Sequence, residues 1–196
     1  MKKIKAIWEK RLVWSNYLQN YILLKLKKVE FDTYPYISGK LVIVGSGKLK
    51  LGKNISINSS LRSNPIGGDT KAIISIGHNA TVIIDDGTGI SNCAIICKES
   101  IRIGKYVNIG GSVKIYDTDF HNLNAKNRME EVTDVPKNSQ IIIGDNCFIG
   151  AHSIILKGVS IGNNVIIGAG SVISKSIPDN QIWAGNPAKL IREIQL

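Results

Sequence analysis

Residues 143–177 read IGDNCF-IGAHSI-ILKGVS-IGNNVI-IGAGSV-ISKSI. Steps of six from Ile143 land on Ile149, Ile155, Ile161, Ile167 and Ile173. The residues just after these are Gly144, Gly150, Leu156, Gly162, Gly168 and Ser174. Four places on stand Cys147, Ser153, Val159, Val165, Ser171 and Ile177, all small or β-branched. An earlier block shows the same pattern at Ile103-Gly104, Ile109-Gly110 and Ile115, with Val107 and Val113 four places on. Weaker copies stand at Leu51-Gly52, Ile57, Ile76-Gly77 and Val82. A period of six fits neither an α-helix nor the simple alternation of a hairpin sheet. It fits a coil with three flat sides, one hexapeptide to a side, closing a turn every ~18 residues. On that geometry Ile143 stacks under Ile161, Ile149 under Ile167 and Ile155 under Ile173. Each turn pairs with the next through parallel hydrogen bonds. Gly, Asn and Asp gather at the expected corners, in Gly144-Asp145-Asn146, Gly162-Asn163-Asn164 and Gly104-Lys105. These types accept turn conformations that β-branched residues resist.

Two stretches break the period. Residues 62–72 are polar and turn-rich, and residues 117–140 carry Asp117, Asp119, His121, Asn122, Asn124, Arg128, Glu130, Glu131 and Pro136. Insertions in a solenoid leave at corners, often on a binding face. Residues 3–28 read as a helix, with Ile4, Trp8 and Leu12, then Leu18, Ile22 and Leu26, at four-residue steps. At the other end, Asn186 as N-cap and Pro187 in the first helical position predict a short helix that covers the coil's open end. The expected organisation is an N-terminal basic amphipathic segment at 1–30, a β-solenoid at 31–185 with the protruding loop 117–140, and a capping helix at 186–196.

The chain has 196 residues, 43% apolar and 20% charged, which is a globular composition. Its net charge is +10. Residues 1–28 hold eight of the basic side chains against Glu9 alone, so the body is only mildly basic. That distribution argues against a nucleic-acid groove. Cys93, Cys97 and Cys147 are odd in number and lack paired spacing, as expected of buried thiols in a reducing compartment rather than a disulfide framework or zinc site. Nothing is long and apolar enough to span a bilayer, and polar residues interrupt any signal-peptide core. The expected location is cytoplasmic, with a peripheral contact at the inner membrane face through residues 1–28 left open. For that segment the alternatives are a helix packed on the coil, or a membrane-surface helix using Trp8, Trp14, Tyr17 and Tyr21 with the lysines.

His121 stands where the repeat gives way to the loop, flanked by Asp117 and Asp119. Taking a proton from a hydroxyl needs a base near neutrality, a task suited to histidine, and a carboxylate can fix its tautomer. No serine or cysteine nucleophile motif is present.

The hexapeptide period resembles the hexapeptide-repeat acyltransferases. Tyr116-Asp117-Thr118-Asp119-Phe120-His121 and Trp183-Ala184-Gly185-Asn186-Pro187-Ala188-Lys189 look like the branch that O-acetylates sugars and polysaccharides, similar to maltose, galactoside and capsule acetyltransferases. The resemblance covers residues 40–192. It implies a left-handed parallel β-helix, acetyl-coenzyme A as co-substrate, a saccharide acceptor and a homotrimer with sites between coils. It implies direct attack in a ternary complex, with His121 as base, Asp117 or Asp119 as its partner, and no metal. Asn92, about five hexapeptides before the histidine, is carried over as the acceptor contact, with a turn asparagine as the equal alternative. Ala151 and Ala169 would meet the pantetheine arm through their backbones, and Phe148 would pack on it. Ser174, Lys175 and Pro187 fall at the adenine end, and Lys189 and Arg192 at the phosphates. His152 could line the same cleft. The rival acceptor is an amine, on an amino sugar or an antibiotic. A zinc carbonic anhydrase on the same coil would need three convergent histidines, and His78, His121 and His152 are far apart in sequence.

Overall fold

The computed structural model describes residues 2–195, with side chains from Val13 onward. Helix α1 (Lys2–Leu26) leads into six turns of three strands each. The first turn is β1 (Glu30–Phe31), β2 (Tyr36–Gly39) and β3 (Val42–Gly45). The second is β4 (Lys48–Leu51), β5 (Ser56–Ser59) and β6 (Ile73–Ile76). The third is β7 (Thr81–Ile84), β8 (Gly89–Ser91) and β9 (Ala94–Cys97). The fourth is β10 (Ser100–Ile103), β11 (Asn108–Ile109) and β12 (Lys114–Tyr116), followed by the loop with its single helical turn α2 (Ala125–Arg128). The fifth is β13 (Ile141–Ile143), β14 (Phe148–Ile149) and β15 (Ile154–Leu156). The sixth is β16 (Ser160–Ile161), β17 (Ile166–Ile167) and β18 (Val172–Ile173). Strands β19 (Gln181–Gly185) and β20 (Ala188–Glu193) finish the chain. Every third strand pairs in parallel, so the coil has three sheets, β1-β4-β7-β10-β13-β16, β2-β5-β8-β11-β14-β17-β19-β20 and β3-β6-β9-β12-β15-β18. It is a left-handed β-helix.

The isoleucine ladder fills this prism. Ile143 pairs in register with Ile161, Ile149 with Ile167 and Ile155 with Ile173. Two of the weaker copies join the same columns: Leu51 lies with Ile84 and Ile103 below Ile143, and Ile57 with Ile90 and Ile109 below Ile149, whereas Val82 stacks with Leu49 and Ile101 and Ile76 with Cys97. These side chains are 0–3% exposed, and burying each contributes about 1.5–3 kcal/mol. The corners are held by a polar ladder. Asp145 Oδ1 accepts from Lys105 N at 2.8 Å, Asn163 Oδ1 from Asp145 N at 2.8 Å, and Asp179 Oδ1 from Asn163 N at 2.7 Å. Each corner aspartate or asparagine thus caps the turn beneath it. Glycine precedes them because the next turn passes so close: a Cβ on Gly144 would lie 2.7 Å from Gly162 C.

Both ends of the coil are plugged. At the lower end α1 crosses the first turn. Leu24 is buried in the core beside Leu41, Ile43 and Leu49. Asn20, 1% exposed, donates to Gly39 O at 2.9 Å and accepts from Leu41 N at 3.1 Å. Lys27 Nζ donates to Gly45 O at 2.8 Å. The helix therefore supplies partners that the first turn, with no turn below it, would lack. The sequence stripe of Leu18, Ile22 and Leu26 does not make this contact. All three side chains are exposed, and Asn20 and Leu24 face the coil instead. That face buries Leu24 and lets Asn20 satisfy two backbone groups that would otherwise be orphaned. Ile4, Trp8 and Leu12, the other half of the stripe, lie outside the described side chains.

At the upper end the expected C-terminal helix is replaced by a hairpin. Residues 188–193 form β20, antiparallel to β19. The exposed edge of β19 offers a complete ladder instead, and Gly185, at φ +105°, makes the reversal. Trp183, paired with Ile167, packs on the top of the core, so the end is covered as expected but by strands.

Candidate functional site

The loop after β12 is cinched where it leaves the coil. Ser139 N donates to Asp117 O at 2.8 Å, Asp119 N donates to Lys137 O at 3.1 Å, and Thr118 and Asn138 form an antiparallel bridge. Beyond this neck His121 is largely exposed, with its Nδ1 2.6 Å from Asp134 Oδ2. The other oxygen of Asp134 accepts from Asn122 N at 2.6 Å. A carboxylate can only accept, so His121 Nδ1 carries the hydrogen and Nε2 presents its lone pair outward. These bonds, the one from His121 foremost, hold the Asp134 carboxyl below its ordinary value.

Neither aspartate chosen from the sequence touches the histidine. Asp117 is fully buried and accepts from Lys98 N, Glu99 N and Ser100 N at 2.7, 2.8 and 3.0 Å. It caps the corner after β9 and has no face left for an imidazole. Asp119 Oδ1 meets Lys157 Nζ at 3.2 Å, and its Oδ2 is buried without a partner. Asp134 takes the orienting place. It lies in the non-repeating part of the loop, where no period marks it.

Asn92 lies at a different corner, where the chain turns into β9 at φ +42°. It is 1% exposed, and its amide donates to Ser60 O and Asn64 O, each at 3.1 Å. It thereby ties down the 62–72 loop, which crosses the next turn. Asp69 N donates to Ser112 Oγ at 2.7 Å, and Asp69 pairs with Lys114, whose pKa is lowered by burial. Gly68, at φ +81°, sits against Ser112 and His152, so a side chain there would strike both. Asn92 and His152 therefore stand at the corner that enters the third sheet, and His121 beyond the corner that leaves it. One chain does not bring them together. His78 is elsewhere again, with its Nδ1 3.2 Å from Ser46 Oγ.

Of the eight residues assigned to coenzyme A, four line a common pocket. Ser174, Lys175, Pro187 and Lys189 line one pocket of about 330 Å³, with Trp183, Ala188 and Leu190. Ala151 and Ala169 stack at the corner that enters the third sheet, where Gly170 N donates to Ala151 O at 2.9 Å. Phe148, half exposed, borders a groove of about 440 Å³ whose floor includes Gly89, Asn108 and Gly110. Arg192 does not line the lysine pocket; on β20 it pairs in register with Ile182 of β19. The cysteines are buried, and burial pushes the thiols of Cys93 and Cys97 up to about 12 and that of Cys147 to about 11. Among the described residues no group of three or more histidine, cysteine or acidic side chains could hold a metal, and no helix is long and apolar enough to cross a membrane.

Comparison with known proteins agrees with this architecture. Residues 140–175 match the family model described as the hexapeptide repeat of succinyl-transferase. Protein CapG of Staphylococcus aureus is 48% identical over 95 residues, 48% of this chain and 54% of that protein. The chain spans about half the length of the curated relatives it matches. Among solved structures, a maltose O-acetyltransferase from Clostridium difficile 630 is 28% identical with a TM-score of 0.52, covering 88% of this chain and 74% of that one. A hexapeptide-repeat acetyltransferase of Vibrio cholerae, complexed with acetyl-coenzyme A, is 28% identical with a TM-score of 0.50, covering 63% and 61%.

Proposed function

We propose, from a chain whose repeat and coil are those of the hexapeptide-repeat acyltransferases, that it moves an acetyl group from acetyl-coenzyme A to a hydroxyl of a saccharide. The observation that carries this reading is the His121–Asp134 pair, whose geometry leaves Nε2 free to accept a proton. In the reaction the acceptor oxygen attacks the thioester carbonyl carbon as its proton passes to Nε2. The tetrahedral intermediate then collapses, the carbon–sulfur bond breaks, and His121 returns the proton to the departing thiolate. Holding both substrates at one site supplies the orientation, so no covalent enzyme intermediate is required.

Acetyl-coenzyme A would lie along the Ala151–Ala169 corner, with its anionic end in the pocket of Lys175 and Lys189. The charges suit phosphate, and that pocket is where four of the residues carried over from the resemblance meet. The site is completed between copies of the chain. His121 and Asn92 are on opposite edges of one flat side, so a homotrimer lets one copy's base face another's acceptor wall. The side between them favours this packing. The sheet of β3, β6, β9, β12, β15 and β18 turns Val42, Val44, Ile73, Ile96, Ile154 and Leu156 outward with Lys114 among them, whereas the sheet that begins with β1 mixes Ile83 and Ile142 with the charges of Lys48, Lys50 and Arg102. For the acceptor we propose a bacterial surface polysaccharide or its precursor. The test is thiol release from acetyl-coenzyme A with a panel of glycans and amino sugars. Acetylation of hydroxyls, lost in His121→Ala, supports the reading. Transfer only to amines would replace it with an N-acetyltransferase.

A further inference from the structure

One strip of α1 points away from the protein. Trp14, Leu18, Ile22 and Leu26 are 72%, 57%, 47% and 77% exposed, while Asn20 and Leu24 close the coil and the half-exposed rings of Tyr17 and Tyr21 flank the strip and stack on Tyr34 at 5.1 and 6.3 Å. A helix that only plugged the end would gain nothing from such an outer surface, and solvent would favour polar residues there. Its chemistry is specific: three aromatic rings with a polar edge or hydroxyl, aliphatic side chains beside them, and cations close by. Lys25 Nζ lies 5.7 Å from the Tyr21 ring centroid. Residues 1–28 together hold eight lysines and arginines against Glu9. Aromatic side chains of this type and lysines suit the boundary between an anionic headgroup layer and its acyl chains.

Position in the fold selects among occupants. The face lies at the end of the coil, not on one of its flat sides. Copies that pack side by side in a closed ring leave their ends uncovered. A second copy covering this face would have to stack end to end, bringing two clusters of positive charge together.

We propose that the outer face of α1 docks on an anionic lipid bilayer, with the end of the coil set against the membrane surface. The choice of occupant rests on the side-by-side trimer of the proposed function, whereas the lipid contact itself does not require acetyl transfer. The full chain should float with vesicles of equimolar phosphatidylcholine and phosphatidylglycerol at low salt, and be released at high salt. The triple variant Trp14→Ser, Leu18→Ser, Ile22→Ser should stay in the aqueous layer with the native melting temperature, because the altered side chains touch no core residue. Lys25→Glu should weaken binding about tenfold. Failure of the full chain to float at low salt overturns the proposal. So does equal flotation on pure phosphatidylcholine, or native flotation by the triple variant. Absence of flotation together with a concentration-dependent doubling of mass, abolished in the triple variant, would assign the face to a second copy instead.

Discussion

Replacing Asp134 with asparagine is the most informative single change, because the loop dictates how the new side chain must sit. Asp134 holds two hydrogens at once, the Asn122 amide at 2.6 Å on one oxygen and His121 Nδ1 at 2.6 Å on the other. An asparagine there has one oxygen. Asn122 N–H can only donate, so the amide oxygen must stay on that side, which turns the NH2 toward His121. Nδ1 then has to accept, the imidazole hydrogen moves to Nε2, and the nitrogen facing the acceptor loses its lone pair. General-base catalysis is worth about 10²–10⁴-fold, so kcat should fall by about 10²-fold or more. The KM for acetyl-coenzyme A should hardly change, since no atom of its pocket moves. The assay is steady-state thiol release at saturating substrates, with His121→Ala beside it. If Asp134→Asn kept native kcat while His121→Ala was inactive, the tautomer argument would be wrong.

Other outcomes follow from the same structure. Lys175→Glu combined with Lys189→Glu should raise the KM for acetyl-coenzyme A by about tenfold; a change confined to the acceptor's KM would remove the pocket from the cofactor path. Ile161→Asp places a carboxylate where the native side chain is 2% exposed, and the coil should fail to fold, as circular dichroism would report. Asn20→Ala leaves Gly39 O and Leu41 N without their partner and should cost about 2–3 kcal/mol in denaturant unfolding. The cysteines should resist iodoacetamide at pH 8 until the protein is unfolded. Their folded pKa values are raised, so the unfolded chain loses the thiol proton first. Stability should therefore decline as pH rises from the ordinary 9.0 toward about 12.

The parts of this protein that repeat are the parts its sequence makes legible. Ile143 to Ile173 fix the period, the three sheets and the inward columns, because a stacked prism needs the same residue type at the same place in every turn. What does not repeat is harder to read. Asp117 stands closer to His121 in sequence than Asp134 does, yet its carboxylate is taken by three backbone amides. The right partner arrives only when the loop folds back. Asn186-Pro187 carries a sound helix-start signal, but the open edge of β19 outbids it. In α1 the four-residue spacing of Leu18, Ile22 and Leu26 marks a helix correctly and says nothing about which side faces the protein. Asn20 decides that, through two hydrogen bonds with residues about twenty positions away.

The neck at Asp117–Asp119 and Lys137–Ser139 has a consequence for how such a protein changes over generations. Three contacts close the loop onto itself before β13 resumes the ladder. Within the strands of the coil length is constrained, since a residue deleted there would throw its neighbours out of their columns. Apart from the insertions, successive turns differ only slightly, with 18 residues between Ile143 and Ile161 and 19 between Ile84 and Ile103. The closed loop is exempt from that accounting. Residues between the two arms of the neck can be added, removed or exchanged while Ile103 still lies beneath Ile143. Loop and scaffold are thereby separately heritable: a lineage can trial new loops on an unaltered frame.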